Sequence, residues 1–171
     1  CFPETYARAA GVPPLPFSGI APGAGSGYGR GTMNLLLFIC TGNYYRSRFA
    51  EAVFNHHAKQ RGLPWRAFSR GLAIHLAPPG ISPHTREALA AREIDESHTG
   101  SERVSLAEPD LAAAHRVIAL QDEEHRPMIR AAFPHWEERV TFWDVPDLPA
   151  DPAVALPSIE RRVAALLGEL S

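Results

Sequence analysis

Cysteine is scarce: Cys1 and Cys40 are the two in 171 residues, too few for a disulfide framework or a thiolate metal cluster. The eight histidines offer no metal-ligand spacing either. His56 and His57 are adjacent, face different ways on a helix and read as surface. Charge of one sign is also missing. With 17 Lys and Arg against 19 Asp and Glu the net charge is −2, which gives no reason to expect nucleic acid or an acidic membrane as a partner. No apolar run approaches the roughly 20 residues of a membrane span, and no stretch joins a basic start to a long apolar core as a secretory signal does. No internal repeat is found, and no cofactor or metal is implied. Tyrosine stops early, with none after Tyr45.

What is present suits one ordinary globular domain with a full core. The first 32 residues stand apart. They carry Pro3, Pro13, Pro14, Pro16 and Pro22, seven glycines from Gly11 to Gly31, and little periodicity. This reads as a flexible arm or leader ahead of a domain at 33–171. Met33, directly before the first strand, is expected to be the natural start. If the arm instead packs on the domain, Phe2, Tyr6 or Phe17 would carry the contact.

Residues 35–47, LLLFICTGNYYRS, organise the rest. The continuous apolar run 35–39 reads as a strand buried on both faces. Arg46 and Ser47 open a helical pattern through Phe49, Ala52, Val53 and Phe54, free of Gly and Pro until Gly62. In such a strand, tight loop and helix, the backbone N–H groups of the loop can converge on one point and the helix dipole adds positive potential there. Cys40 at that point is favoured as a thiolate by the same donors that would hold a phosphate. Arg46 supplies a planar fork for two oxyanion oxygens. Ser47 can donate to the sulfur, and Cys40 becomes a nucleophile beneath a tetrahedral oxyanion.

The spacing Cys, five residues, Arg, Ser, with Gly-Asn two and three positions after the Cys, resembles the low-molecular-weight protein tyrosine phosphatases and their arsenate-reductase relatives. Cys40, Gly42, Asn43, Arg46 and Ser47 carry the likeness. It extends over roughly 34–170. It implies a phosphate-binding loop of Thr41, Gly42, Asn43, Tyr44, Tyr45, Arg46 and Ser47, and a late aspartate that serves as acid. The context Trp143-x-Val145-Pro146-Asp147 is similar to the family's Asp-Pro loop and selects Asp147, although Leu148 replaces the usual proline and Asp151-Pro152 restores the dipeptide later. Asp144 and Asp151 stay open as alternatives. By the same resemblance Ser69 and His98 are expected to hold the side chain of Asn43, which should sit in the left-handed region that Asn tolerates. Tyr44 and Tyr45 form a bulky aromatic rim; relatives often carry a second cysteine at the place of Tyr45.

The rest of the chain alternates strand and helix. Strands are expected at 65–68, 115–120 and 139–143, and helices at 83–92, 105–114, from 121 onward, and 157–170, with Ser82-Pro83 as a helix start. Strands too far apart for hairpins imply a three-layer, Rossmann-like α/β fold: a four-stranded parallel sheet with right-handed crossovers and helices on both faces. Ligands bind beyond the carboxyl ends of such strands, where Cys40 and the 144–152 loop both lie. The expected function is hydrolysis of a phosphomonoester, on a phosphorylated protein or a small molecule, through a cysteinyl-phosphate in a reducing cytoplasm. The alternatives are arsenate reduction with a small external thiol, since no thiol relay can be built in the domain, and a catalytically silent phosphate-binding module.

Overall fold

In the computed structural model, which describes residues 32–171, the apolar run is the middle of a sheet. Strand β1 (Asn34–Cys40) pairs in parallel with β2 (Trp65–Gly71) on one side and β3 (Arg116–Ala119) on the other. Strand β4 (Val140–Phe142) pairs in parallel with β3, giving the order β2-β1-β3-β4. The expected arm at 1–32 lies, save for Thr32, outside the described residues.

Helices cover both faces, which is why β1 reads as unbroken apolar residues rather than an alternation. Leu36, Phe38 and Cys40 face α1 (Arg46–Gln60) and α5 (Pro152–Glu169), among Phe49, Phe54, Ile159 and Val163. Leu37 and Ile39 face the other way, onto Leu111 of α3 (Glu108–Ala113) and Ile129 of α4 (Asp122–Ala132). A shorter helix, α2 (Pro83–Ala90), adds Leu89 to the first of these cores.

Several boundaries differ from the sequence reading: β2 runs on to Gly71, α2 ends at Ala90, and three others have a local cause. Helix α5 begins at Pro152, not 157: Asp151 accepts from Ala153 N at 2.9 Å as its N-cap, and Ala155 and Leu156 are buried, so a packed turn precedes Pro157. Helix α3 starts at Glu108 because Ser105 is used in a bridge to Gly71. Strand β4 spans only Val140–Phe142, since a 3-10 turn, Pro134–Arg139, precedes it.

Candidate active site

Cys40 ends β1, and the chain then turns through 41–45 into the first residue of α1. Asn43 has φ +49°, the left-handed conformation that its short polar side chain tolerates. A Cβ on Gly42 would lie 2.5 Å from Ala77 Cβ, so no larger residue fits there. A Cβ on Gly71 would meet Asn43 N and Thr41 O at 2.9 Å, so β2 presses its last residue against the loop. Among the described residues, the backbone N–H groups of 42–47 donate to no carbonyl. They lie at the positive end of α1. The Cys40 sulfur lies 2.8 Å from Ser47 Oγ.

Arg46 is 1% exposed and almost fully engaged. Its Nη1 donates to Gln121 Oε1 at 3.1 Å and to the Val145 carbonyl at 2.9 Å. Its Nη2 donates to Glu124 Oε2 and to Asp147 Oδ2, both at 2.9 Å. Cys40, Thr41, Tyr44, Arg46, Pro78 and Asp147 line one cavity of about 380 Å³, with Tyr45, Leu76 and Leu148 also in its wall. The three aspartates separate clearly. Asp147 reaches the guanidinium; Asp144 is exposed with no side-chain partner among the described residues; Asp151 is spent on capping α5. Tyr44 lies in the cavity wall and Tyr45 is buried, its ring edge-on to His84 and its hydroxyl without a partner. Burial, and then the Asp147 carboxylate, push the Tyr45 phenol up to about 12 against the pull of Arg46.

Behind the loop, Asn43 Nδ2 donates to Ser69 Oγ at 2.8 Å and to Ser47 Oγ at 3.2 Å, while its Oδ1 accepts from Val104 N at 2.8 Å. Ser69 in turn donates to Glu51 Oε2 at 2.6 Å, and Thr99 donates to the same oxygen at 2.8 Å. Arg48 Nε donates to Thr99 Oγ1 at 2.7 Å. Ser69 therefore sits where the resemblance places it, but His98 does not. Its ring stacks edge-on to His56, with centroids 5.3 Å apart, and its carbonyl accepts from Asn55. The place beside Ser69 is filled by Glu51 and by Thr99, one residue further on, because the 3-10 turn Glu96–His98 rotates His98 outward.

Glu51, Arg48, Thr99, Gln121 and Glu124 were not singled out from the sequence. The available signal was a pair of charges, Arg48 and Glu51, on the inner side of an otherwise apolar helix start. Burial raises the carboxyl of Glu51, with the hydroxyls of Ser69 and Thr99 pulling the other way, and burial lowers the guanidinium of Arg48. Among the described residues no group of His, Cys, Asp and Glu could hold a metal ion, and no helix is long and apolar enough to cross a membrane.

Residues 35–152 match the family model described as low molecular weight phosphotyrosine protein phosphatase. The chain is 33% identical over 106 residues to the protein-arginine-phosphatase of Bacillus subtilis, covering 61% of this chain and 67% of that protein. It is 34% identical over 70 residues to arsenate reductase 1 of Staphylococcus epidermidis, covering 41% of this chain and about half (48%) of that one. The crystal structure of a low molecular weight protein tyrosine phosphatase from T. tengcongensis superposes with a TM-score of 0.69 at 28% identity, over 80% of this chain and 99% of that one.

Proposed function

We infer the reaction of this chain from its family: it belongs to the low molecular weight phosphotyrosine protein phosphatases, and it is a cysteine-dependent phosphatase. The geometry supports the following roles for its residues. The Cys40 thiolate attacks phosphorus, and Ser47, 2.8 Å from the sulfur, steadies it. Arg46 and the free N–H groups of 42–47 hold the non-bridging oxygens where negative charge accumulates. Asp147 gives its proton to the departing atom, an ester oxygen or, from phosphoarginine, a guanidine nitrogen, and, as a carboxylate, then takes one from the water that cleaves the cysteinyl-phosphate. Cys40 leaves as thiolate, and phosphate departs.

The observation that carries this reading is the convergence of Cys40, Arg46 and Asp147, from the ends of β1, α1 and the loop after β4, on one cavity. The substrate is a phosphorylated protein. The likeness to a protein-arginine-phosphatase favours phosphoarginine, and so does the absence of any tyrosine after Tyr45 that could wall an aromatic substrate. Cys40 is the one cysteine among the described residues, so arsenate reduction would need an external thiol. The same thiol suits a reducing compartment such as the cytoplasm.

Hydrolysis of para-nitrophenyl phosphate without added metal tests the scheme. The parent is expected to turn over, Cys40→Ser to be inert, and Asp147→Ala to lose about 10²- to 10⁴-fold. Full activity in Asp147→Ala would remove Asp147 from its role. A phosphoarginine peptide cleaved faster than its phosphotyrosine counterpart would fix the substrate class, and the reverse order would overturn that choice.

A further inference from the structure

Arg46 must offer a fork to the phosphoryl group, yet in the free protein both hydrogens of Nη1 and both of Nη2 are already donated, to Gln121, Val145, Glu124 and Asp147. A two-point grip on an oxyanion therefore requires one partner of Nη2 to yield. The two carboxylates on Nη2 differ in how they are held. Asp147 belongs to a loop, and its other oxygen accepts only from the backbone N–H of Leu148 next to it. Glu124 stands in the first turn of α4, and its second oxygen, Oε1, accepts from the hydroxyl of Thr41. One side chain thus joins the first and the sixth residues after the nucleophile, the two ends of the phosphate loop.

A further group stands behind Glu124. His125 is fully buried, and its Nδ1 accepts from the backbone N–H of Gln121 at 3.0 Å. The proton is therefore on Nε2, which has no hydrogen-bond partner among the described residues and lies 3.6 Å from Glu124 Oε1. Burial alone would raise the carboxyl of Glu124. His125, Thr41 and Arg46 together outweigh it and hold the group down at about 2, so it stays an anion wherever the enzyme works.

We propose that Glu124 is a positioning residue: it keeps Arg46 and Thr41 in register while the incoming phosphoryl group takes from Asp147 the remaining hydrogen of Nη2. Substrate binding then does two things at once. It completes the grip of Arg46, and it frees Asp147 to face the departing group. The assignment rests on the phosphatase reading above for its purpose, but it makes a claim about anion binding that holds without turnover.

The test measures binding of inorganic phosphate to the full chain by calorimetry, beside the kinetics on para-nitrophenyl phosphate. Glu124→Ala is expected to raise the phosphate Kd and the KM together by about tenfold, the worth of one charge-assisted hydrogen bond, with a smaller loss in kcat. Thr41→Val, which removes one end of the strap, should raise Kd by about threefold, and the double variant should do no worse than Glu124→Ala alone. Where Glu124→Ala is too unstable to measure, Glu124→Gln keeps the length and one carbonyl oxygen and is expected to raise Kd about threefold. A Kd within twofold of the parent in these variants overturns the proposal, and so does full additivity of Thr41→Val with Glu124→Ala. Loss of kcat and of the urea midpoint at unchanged Kd also overturns it, because that is general loosening. A parent that binds phosphate but hydrolyses nothing would sink the phosphatase reading and leave the Kd comparison standing.

Discussion

Glu51 and Glu124 brace the same loop from opposite faces of the sheet, and their surroundings drive them in opposite directions. Glu51, on α1, is 8% exposed and takes its hydrogen bonds from two neutral hydroxyls, with Arg48 as the nearby cation. Burial wins there, and the neutral acid is favoured. Glu124, on α4, is more open and binds a guanidinium directly, so the ion is favoured and its carboxyl falls to about 2. A fixed negative charge stands where it can orient Arg46, while the group behind the loop works by accepting hydrogen bonds from Ser69 and Thr99. The loop is therefore held by charge in front and by packing and hydrogen bonding behind.

Breaking the rear brace should cost most. Glu51→Ala leaves Ser69 and Thr99 without the acceptor they share, and is expected to remove about 2–4 kcal/mol in urea unfolding at pH 7. A loss under about 1 kcal/mol would show that this network is not what supports the loop. The front brace shows itself through pH. The carboxyl of Glu124 lies below its ordinary 4.5, so the native state binds fewer protons than the unfolded chain between the two values. Its contribution is complete above pH 4.5 and is lost as pH falls toward 2, at most about 3 kcal/mol. Glu51, raised, does the reverse: its contribution is present in acid and is lost as pH rises above 4.5 through its folded value. Stability measured from pH 3 to 7 should therefore bring Glu124→Gln closer to the parent on acidification, and Glu51→Gln closer on going up in pH. Parallel curves would erase the distinction.

Asn43 links the two halves, and a smaller effect is expected there. Asn43→Ala loses the bonds to Ser69, Ser47 and Val104 and keeps a φ of +49° that alanine resists, for about 2 kcal/mol in all. Asn43→Gly relieves the backbone but not the bonds and should recover about 1 kcal/mol of that. Equal losses in the two variants would mean that the side-chain network, not the turn, sets the cost.

Much of this arrangement is legible in the sequence, and the remainder is hidden for identifiable reasons. The strand at 35–39, the loop and the helix announce themselves because apolar run, Gly-Asn and Arg-Ser each obey a local rule, and the parallel sheet follows from strand spacing. Glu124 is hidden because acidic residues in a first turn, here Asp122, Glu123 and Glu124, read as partners of the helix dipole. Only the pairing of β3 with β1 brings that turn beside Thr41 and Arg46. Arg48 and Glu51 read as solvated helix charges until β2 and the 99–104 segment cover them. His98 packs against His56 instead of reaching Asn43, an orientation that no pattern in the Glu96–Gly100 stretch reveals. The start of α5 is misread because Pro157 looks like a first-turn proline, when Pro152 holds that position.

Tyr45 carries the smallest expected effect and touches neither brace. Its ring is packed, 4% exposed, and its hydroxyl is buried with no partner among the described residues, so it adds no hydrogen bond within them. Tyr45→Phe is therefore expected to leave neutral-pH stability unchanged or to raise it by up to about 1 kcal/mol. The alkaline side gives an independent reading. Burial and the neighbouring Asp147 carboxylate hold the phenol near 12 against its ordinary 10, so the native chain keeps a proton that the unfolded chain releases between those values. The parent should lose stability as pH climbs from 10 toward 12, and Tyr45→Phe should lose less. A phenylalanine variant destabilised by more than about 1 kcal/mol at pH 7 would mean that the hydroxyl has a bonding partner in solution, with the Asp147 carboxylate, whose charge already acts on the phenol, as the candidate. The free-state pairing of Asp147 with Arg46 would then be shared with Tyr45, and the front of the loop would be held by more than charge.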